Sequence, residues 1–342
     1  MMAIMQKDVD LTSYSTFGLQ AKAQYLVRIS TESDLLDTLR RAKETKLPIH
    51  IVGGGANTIF SEFVEGIVLV NRIRGISLRL DDETGDTLVS VGSGEILDTL
   101  IDRLLRAQIA GLENLAAIPG TVGGAIVQNA GAYGLEIAEY VESVDVIDTK
   151  TLEKKTRTCE ECDFRYRHSV FKREGARHEC ITRVHLRFPT TWNARTQYKE
   201  ILAWAQRQNL TEWTPSVLAK AIRRIRAKKL PSPTQWGNVG SFFTNPVVEK
   251  ALWHKILEKH PSLVSYPLAG GRRKFAAASI IESAGLKGFH LGPVAMYENH
   301  ALIMINTGGA TATDVLTLAQ HVKDEVMQRY MVALRMEPVL IK

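Results

Sequence analysis

The run Gly53-Gly54-Gly55-Ala56-Asn57-Thr58 follows directly on an apolar, β-branched stretch, Ile49–Val52. Glycine lets a backbone approach an anion closely and turn successive N–H groups into one concavity, so this placement suits a diphosphate. A bare tight turn accounts for a lone glycine cluster equally well. Neither the Lys-Ser/Thr ending of an ATPase loop nor the GxGxxG spacing of a dinucleotide fold is present. A second glycine-rich stretch, Pro119-Gly120-Thr121 with Gly123 and Gly124, begins about seventy residues later, and Gln128, Asn129 and Tyr133 follow it with neutral hydrogen-bonding groups. Two such loops argue for a large cofactor, whose pyrophosphate and flat heteroaromatic ring need backbone amides and side-chain amides more than fixed positive charge.

Arg165 and Arg167 fall two apart in Phe164–Arg167, which reads as a strand, and so share a face on which a guanidinium can clamp a carboxylate. The plainer account is a surface arginine in a basic patch. His168 reads as structural. Ser241 lies between Gly240 and the pair Phe242-Phe243, an apolar and bendable setting. With no GxSxG elbow and no local His-Asp pattern, an acyl-transfer hydrolase is a poor reading. A hydroxyl that donates a proton to a developing carbanion fits better, provided a cation such as Arg167 steadies the charge. The helix carrying Lys220, Arg223, Arg224, Arg226, Lys228 and Lys229 reads as a solvated basic face rather than a nucleic-acid surface, since no aromatic residues interleave it. Lys229 adjoins a Pro-rich junction and is singled out as able to reach a phosphate. Cys159 and Cys162 have CxxC spacing, with His178 and Cys180 beyond, but no second CxxC or paired His completes a zinc site, so incidental thiols are expected. The other histidines show no metal spacing, and no metal is expected.

These residues must be positioned by a chain of 342 residues with 45% apolar and 23% charged content, enough for two or three domains and a sizeable core. The net charge of +6 suits anionic small molecules. No stretch approaches the roughly 20 apolar residues of a membrane span, so a cytoplasmic protein is expected. Periodicity predicts a strand at Tyr25–Ile29, a helix capped at Thr31, a strand at Ile49–Val52, and short strands at Ile67–Val70 and Leu88–Val91. A helix with Ile96, Leu97, Leu100, Leu104 and Ala107 on one face should follow, ending by Gly111. From Gly111 to Gly134 a long loop is expected, then strands at Val141–Ile147, Phe164–Arg167 and Cys180–Leu186. Beyond the boundary near Lys229 come helices at Val248–Lys259 and Ser279–Ala284, strands around Val294 and Leu302–Ile305, and a final helix carrying Val315, Leu318, Ala319, Val322 and Val326 on one face. The last strand, Val332–Ile341, should rejoin the central sheet.

The chain resembles the UDP-N-acetylenolpyruvoylglucosamine reductase family, in its subclass with a tyrosine loop. Six blocks carry the likeness in order: VGGGANTIF (52–60), GLENLAAIPGTVGGAIVQNAGAYG (111–134), FRYRHSVFK (164–172), KLPSP (229–233), GSFFTNP (240–246) and LRMEP (334–338). The resemblance implies an α+β protein with an FAD-binding fold of the vanillyl-alcohol oxidase (PCMH) type. Its subdomains would be residues 1–75 and 76–228, followed by a substrate-binding domain at 229–330, with 331–342 returning to the FAD-binding core. It implies bound FAD, NADPH as hydride donor, UDP-N-acetylglucosamine enolpyruvate as substrate and UDP-N-acetylmuramate as product, in peptidoglycan precursor synthesis. A cytoplasmic monomer without nucleic-acid partner or membrane insertion is expected. Gly53, Gly54, Gly55, Ala56, Asn57 and Thr58 would hold the FAD diphosphate. Pro119, Gly120, Thr121, Gly123 and Gly124, with Gln128, Asn129, Gly131, Ala132 and Tyr133, would line the flavin. Arg167 would stabilise the enolate-like carboxylate, Ser241 would protonate C2, and Glu337 would complete the catalytic set. Tyr198 would fold over the substrate, and Lys229 and Asn245 would meet its diphosphate. Tyr297-Glu298-Asn299-His300-Ala301 departs from the family pattern, and Ala56 stands where serine is common. The competing readings are a related FAD oxidase and a nucleotide-sugar sensor without turnover.

Overall fold

The computed structural model describes residues 3–176 and 178–342. The chain forms two units: Met1–Val9, Ala23–Gly54 and Glu65–Lys228 make the first, and Asp10–Lys22, Gly55–Val64 and Lys229–Lys342 the second.

In the first unit, helix α1 (Glu32–Thr45) starts where Thr31 accepts from the Asp34 amide and Asp34 answers on the Thr31 amide, a reciprocal cap that satisfies two otherwise orphaned donors. Its buried Leu35, Leu39 and Ala42 pack with Val27, Ile29, Ile67 and Leu69. A four-stranded sheet results, in the order Met5–Asp10, Lys22–Ile29, Phe63–Asn71, Ile49–Val52, the last two parallel. The two strands that flank α1 in sequence are therefore separated in space by Phe63–Asn71. A second sheet is antiparallel throughout, in the order Lys154–Thr158, Val141–Asp148, Glu179–Phe188, Thr87–Gly92, Ile76–Leu80. Against it α2 (Leu97–Arg106) buries Leu97, Leu100, Ile101 and Leu104. Each such side chain contributes about 1.5–3 kcal/mol.

The expected loop from Gly111 to Gly134 contains a helix, α3 (Val122–Gln128), N-capped by Thr121. The expected strand Phe164–Arg167 does not form. Arg165 and His168 instead exchange both backbone hydrogen bonds (3.0 and 2.9 Å), with Tyr166 and Arg167 at the corner of a tight turn. Helices α4 (Lys199–Arg207) and α5 (Pro215–Lys229) complete the unit around buried Ala116, Ile201, Leu218, Ala219 and Ile222.

The second unit is built on α8 (Ala312–Tyr330), which buries Val315, Leu318, Ala319, Val322 and Val326 as its spacing predicts. Helices α6 (Lys250–Lys259) and α7 (Ala277–Ser283) pack into the same core with Phe17, Phe242, Phe243 and Phe275. The expected strand Val332–Ile341 is only Val339–Ile341, and it joins no large sheet. It lies parallel to Thr58–Phe60 as a separate two-stranded ladder.

Candidate active site

In the first unit the two glycine loops, far apart in sequence, meet. A Cβ on Gly54 would stand 2.7 Å from the Gly120 Cα, and one on Gly53 would stand 2.4 Å from Thr121 Oγ1. Only glycine allows this approach of backbone to backbone. Thr121 also accepts from the Gly124 amide (3.4 Å), while the Gly123 amide is spent on Ser93 O (2.8 Å). Pro119 precedes the contact and is exposed.

Beyond α3 the chain turns at Asn129, whose φ is +44°. Asn129 is buried, donates to Glu136 Oε2 (2.8 Å) and Arg165 O (3.1 Å), and accepts from the Ala138 amide (3.3 Å). Its side chain holds the turn together. Gln128 accepts from Lys172 Nζ (2.7 Å), which also donates to Arg167 O (3.1 Å). Arg167 sits at φ +52° and donates through Nη2 to Gly131 O (2.7 Å), its guanidinium 5.1 Å from the Tyr166 ring centre. A Cβ on Gly131 would crowd that guanidinium at 3.1 Å. Gly131 and Ala132 pair with Leu135 and Glu136 in a short hairpin. The structure therefore brings Gln128, Asn129, Gly131 and Arg167 into one hydrogen-bonded corner.

Tyr133, at φ +48°, follows on the same hairpin, and its ring meets Tyr198 edge-on with centres 5.7 Å apart. Burial pushes the Tyr133 phenol above its ordinary value, an effect that the charge of Arg226 opposes. Arg226 is a residue the sequence leaves on a solvated face. On α5, Arg223 is instead held by Asp98 Oδ1 (2.8 Å) and Asp102 Oδ1 (2.7 Å) of α2, and one turn on, Arg226 Nε is buried without a hydrogen-bond partner among the described residues. Burial lowers its guanidinium below the ordinary value, offset in part by Tyr133 and Asp98. An unfilled buried donor on a cation is costly, and an anionic oxygen relieves that cost. This orphan donor and the glycine cradle fit a cofactor carrying phosphates and ring carbonyls. The periodicity of a basic helix gives no sign of Arg226, because only the packing of α5 turns it inward.

In the second unit, Gly55 closes the glycine run at φ +65°, where a Cβ would stand 1.9 Å from Tyr14 O. Ala56 is half-buried, and Thr58 begins the Thr58–Phe60 strand. Asn57 donates to Glu337 O (3.1 Å) and accepts from the Val339 amide (3.0 Å). Ser241 is exposed and bridges Ile303, while its neighbours Phe242 and Phe243 are fully buried beneath it. Phe242 donates to Leu302 O (2.8 Å) and accepts from the Glu337 amide (2.9 Å). The extended segment Ser241–Phe243, held by isolated bridges, thus carries Ser241 beside the segment that carries Glu337, nearly a hundred residues away. Asn245 Oδ1 accepts from the Ala277 amide at the start of α7 (2.9 Å). Lys229 is exposed at the end of α5.

The CxxC pair packs in the core of the first unit, Cys162 with Val122, Ile126 and Ala130. Cys162 is buried with its thiol pushed up to about 12, chiefly by burial, and Cys180 likewise to about 12. Among the described residues no group of three or more His, Cys, Asp or Glu could hold a metal ion, and no helix is long and apolar enough to cross a membrane.

Residues 23–152 match the family described as FAD binding domain. With the cradle and the orphan cation, this makes the protein an FAD-binding oxidoreductase of α+β fold, the class the resemblance implied. Residues 232–341 match the family described as UDP-N-acetylenolpyruvoylglucosamine reductase, C-terminal domain. Reductases of that name from Burkholderia multivorans and Bdellovibrio bacteriovorus are 38% and 39% identical over 98% of this chain, covering 96% and 99% of their own lengths. The crystal structure of the Thermus caldophilus reductase aligns over 100% of both chains at 26% identity, with a TM-score of 0.67. The chain belongs to the UDP-N-acetylenolpyruvoylglucosamine reductase family.

Proposed function

We propose that the protein reduces UDP-N-acetylglucosamine enolpyruvate to UDP-N-acetylmuramate at the expense of NADPH, in peptidoglycan precursor synthesis in the cytoplasm. The observation that carries this reading is the pairing of Ser241 with the Glu337 segment through Phe242, in a chain similar over 98% of its length to reductases of that name. The chemistry that FAD supplies when bound is hydride transfer, from NADPH to C3 of the enolpyruvyl group. Charge then builds on C2 and its carboxylate. A fixed guanidinium lowers the energy of that species more than that of the neutral alkene, which is the task assigned to Arg167. Its left-handed backbone and its bond to Gly131 O hold the side chain before the substrate arrives. Ser241 Oγ–H donates the proton to C2, and Glu337 orients the substrate or shares in the proton transfer. Exposure of Ser241 on a segment backed by the buried Phe242 and Phe243 supports a donor that meets substrate directly. Gly53 to Thr58 and Pro119 to Gly124 serve the FAD diphosphate and flavin, with Gln128 to Tyr133 alongside, while Tyr198, Lys229 and Asn245 serve the nucleotide sugar.

The test separates the two half-reactions. In anaerobic stopped flow, Ser241→Ala should reduce flavin with NADPH at close to the unsubstituted rate and reoxidise with the enolpyruvyl sugar at least about a hundredfold more slowly, the range expected for loss of a positioned proton donor. Equal losses in both halves would remove Ser241 from the proton-transfer role.

A further inference from the structure

Glu113 and Asn114 are consecutive, each 2% exposed, in a one-turn helix whose neighbours Leu112, Leu115 and Ala116 are equally buried. Polar side chains buried so deeply persist only where their bonding is satisfied. Glu113 Oε1 accepts from the Gly111 amide (2.6 Å) and Oε2 from Trp192 Nε1 (3.3 Å). Asn114 Nδ2 donates to two carbonyls at once, Tyr133 O and Arg195 O, each at 3.0 Å. Arg195 continues the chain of bonds to Gly134 O and Glu139. Residues 189–197 have no helix or strand of their own, yet they lead straight into Tyr198, which opens α4 and packs against Tyr133. Ordering such a segment costs about 1–2 kcal/mol per residue, and these bonds are what oppose that cost.

We propose that Glu113 and Asn114 are positioning residues, a polar clamp that ties the segment carrying Tyr198 to the hairpin carrying Tyr133 and so sets the tyrosine that covers the substrate. The inference rests on the assignment of Tyr198 above. Asn114 acts on both tyrosines through backbone, and Glu113 acts through the Trp192 indole.

A double-mutant cycle on the FAD-loaded protein tests the clamp. Affinity for UDP-N-acetylglucosamine enolpyruvate, read from the flavin absorbance change, should fall about tenfold in Asn114→Ala and by less than about twofold when the same change is made in Tyr198→Ala. Trp192→Phe, which deletes the indole donor but keeps an aromatic ring in the same packing, gives the milder form of the cycle if Asn114→Ala does not fold, with an expected loss of about fivefold. Trypsin should also cleave after Arg195 faster in both variants. Additive losses, or unchanged cleavage, would overturn the clamp. If the variants are cleaved faster but the unsubstituted protein ignores the nucleotide sugar, the tie between segments stands and the reading of function falls instead.

Discussion

A guanidinium with a buried, unfilled donor is costly, and among the described residues Arg226 Nε is the buried side-chain atom without a hydrogen-bond partner. Three residues earlier on the same helix, Arg223 is paired with Asp98 and Asp102 of α2 and so helps fix the face that α5 turns inward. Arg226→Met keeps the volume and removes the orphan, so it should leave the FAD-free protein as stable or more so while weakening FAD about tenfold or more. Thermal melts with and without FAD read both effects, and a parallel fall in both would show that Arg226 merely packs. At this scale the sequence is informative where the residue type is itself the message. Gly53 and Gly54 mark a close approach because nothing larger fits against Gly120 and Thr121. It is silent where geometry depends on packing. Arg167 adopts φ +52° with no glycine to signal a turn, so Phe164–Arg167 looks like an extended strand until the Arg165–His168 pairing is seen. Asn129 has the type of a ligand contact, and its amide also bonds Glu136, Arg165 O and the Ala138 amide, a structural role that residue type alone does not reveal.

Among elements, helices with one apolar face are legible because burial repeats every three or four residues, as α2 and α8 show, and the Thr31 cap is written in the residues themselves. Strands Met5–Asp10 and Ile76–Leu80 are edge strands with mostly exposed residues, so no alternation betrays them. Helix α3 hides for the opposite reason. Its Gly123, Gly124 and Ala125 look like loop residues, but Gly123 is small because a Cβ there would meet Ser93 Cβ at 2.9 Å. The contact between the two glycine loops is likewise an element-level fact, and Gly54→Ala tests it. A methyl pushed to 2.7 Å from backbone must move one loop, at a cost of about 1–3 kcal/mol. The variant should melt lower and be purified with less bound flavin per chain. An unchanged flavin-to-protein absorbance ratio would mean that the contact does not shape the cradle.

For the molecule as a whole, resistance to acid depends on carboxylates that gain partners on folding. Glu179 is one, its side chain 1% exposed between Arg157 (2.6 Å) and Lys155 (2.5 Å). Burial alone would raise its carboxyl, but the bonds from Arg157 and Lys155 outweigh it and hold it below the ordinary 4.5. A carboxyl depressed in the folded state stabilises above its unfolded value, and that stability is lost as pH falls through the folded value. Glu179→Gln should therefore lower Tm at pH 7 and flatten its decline below about pH 4.5. Calorimetry across that window that gives the same slope for both proteins would contradict the assignment.

The backbone passes from one unit to the other five times, and the Val339–Ile341 strand waits for a partner, Thr58–Phe60, that precedes it by about 280 residues. On a ribosome adding roughly 5–20 residues per second, the pieces at Asp10–Lys22 and Gly55–Val64 leave the exit tunnel on the order of ten seconds or more before the bulk of their unit exists. Neither unit can be excised as a contiguous fragment, so a gene split at Lys228 should yield two insoluble halves whose solubility returns only on co-expression.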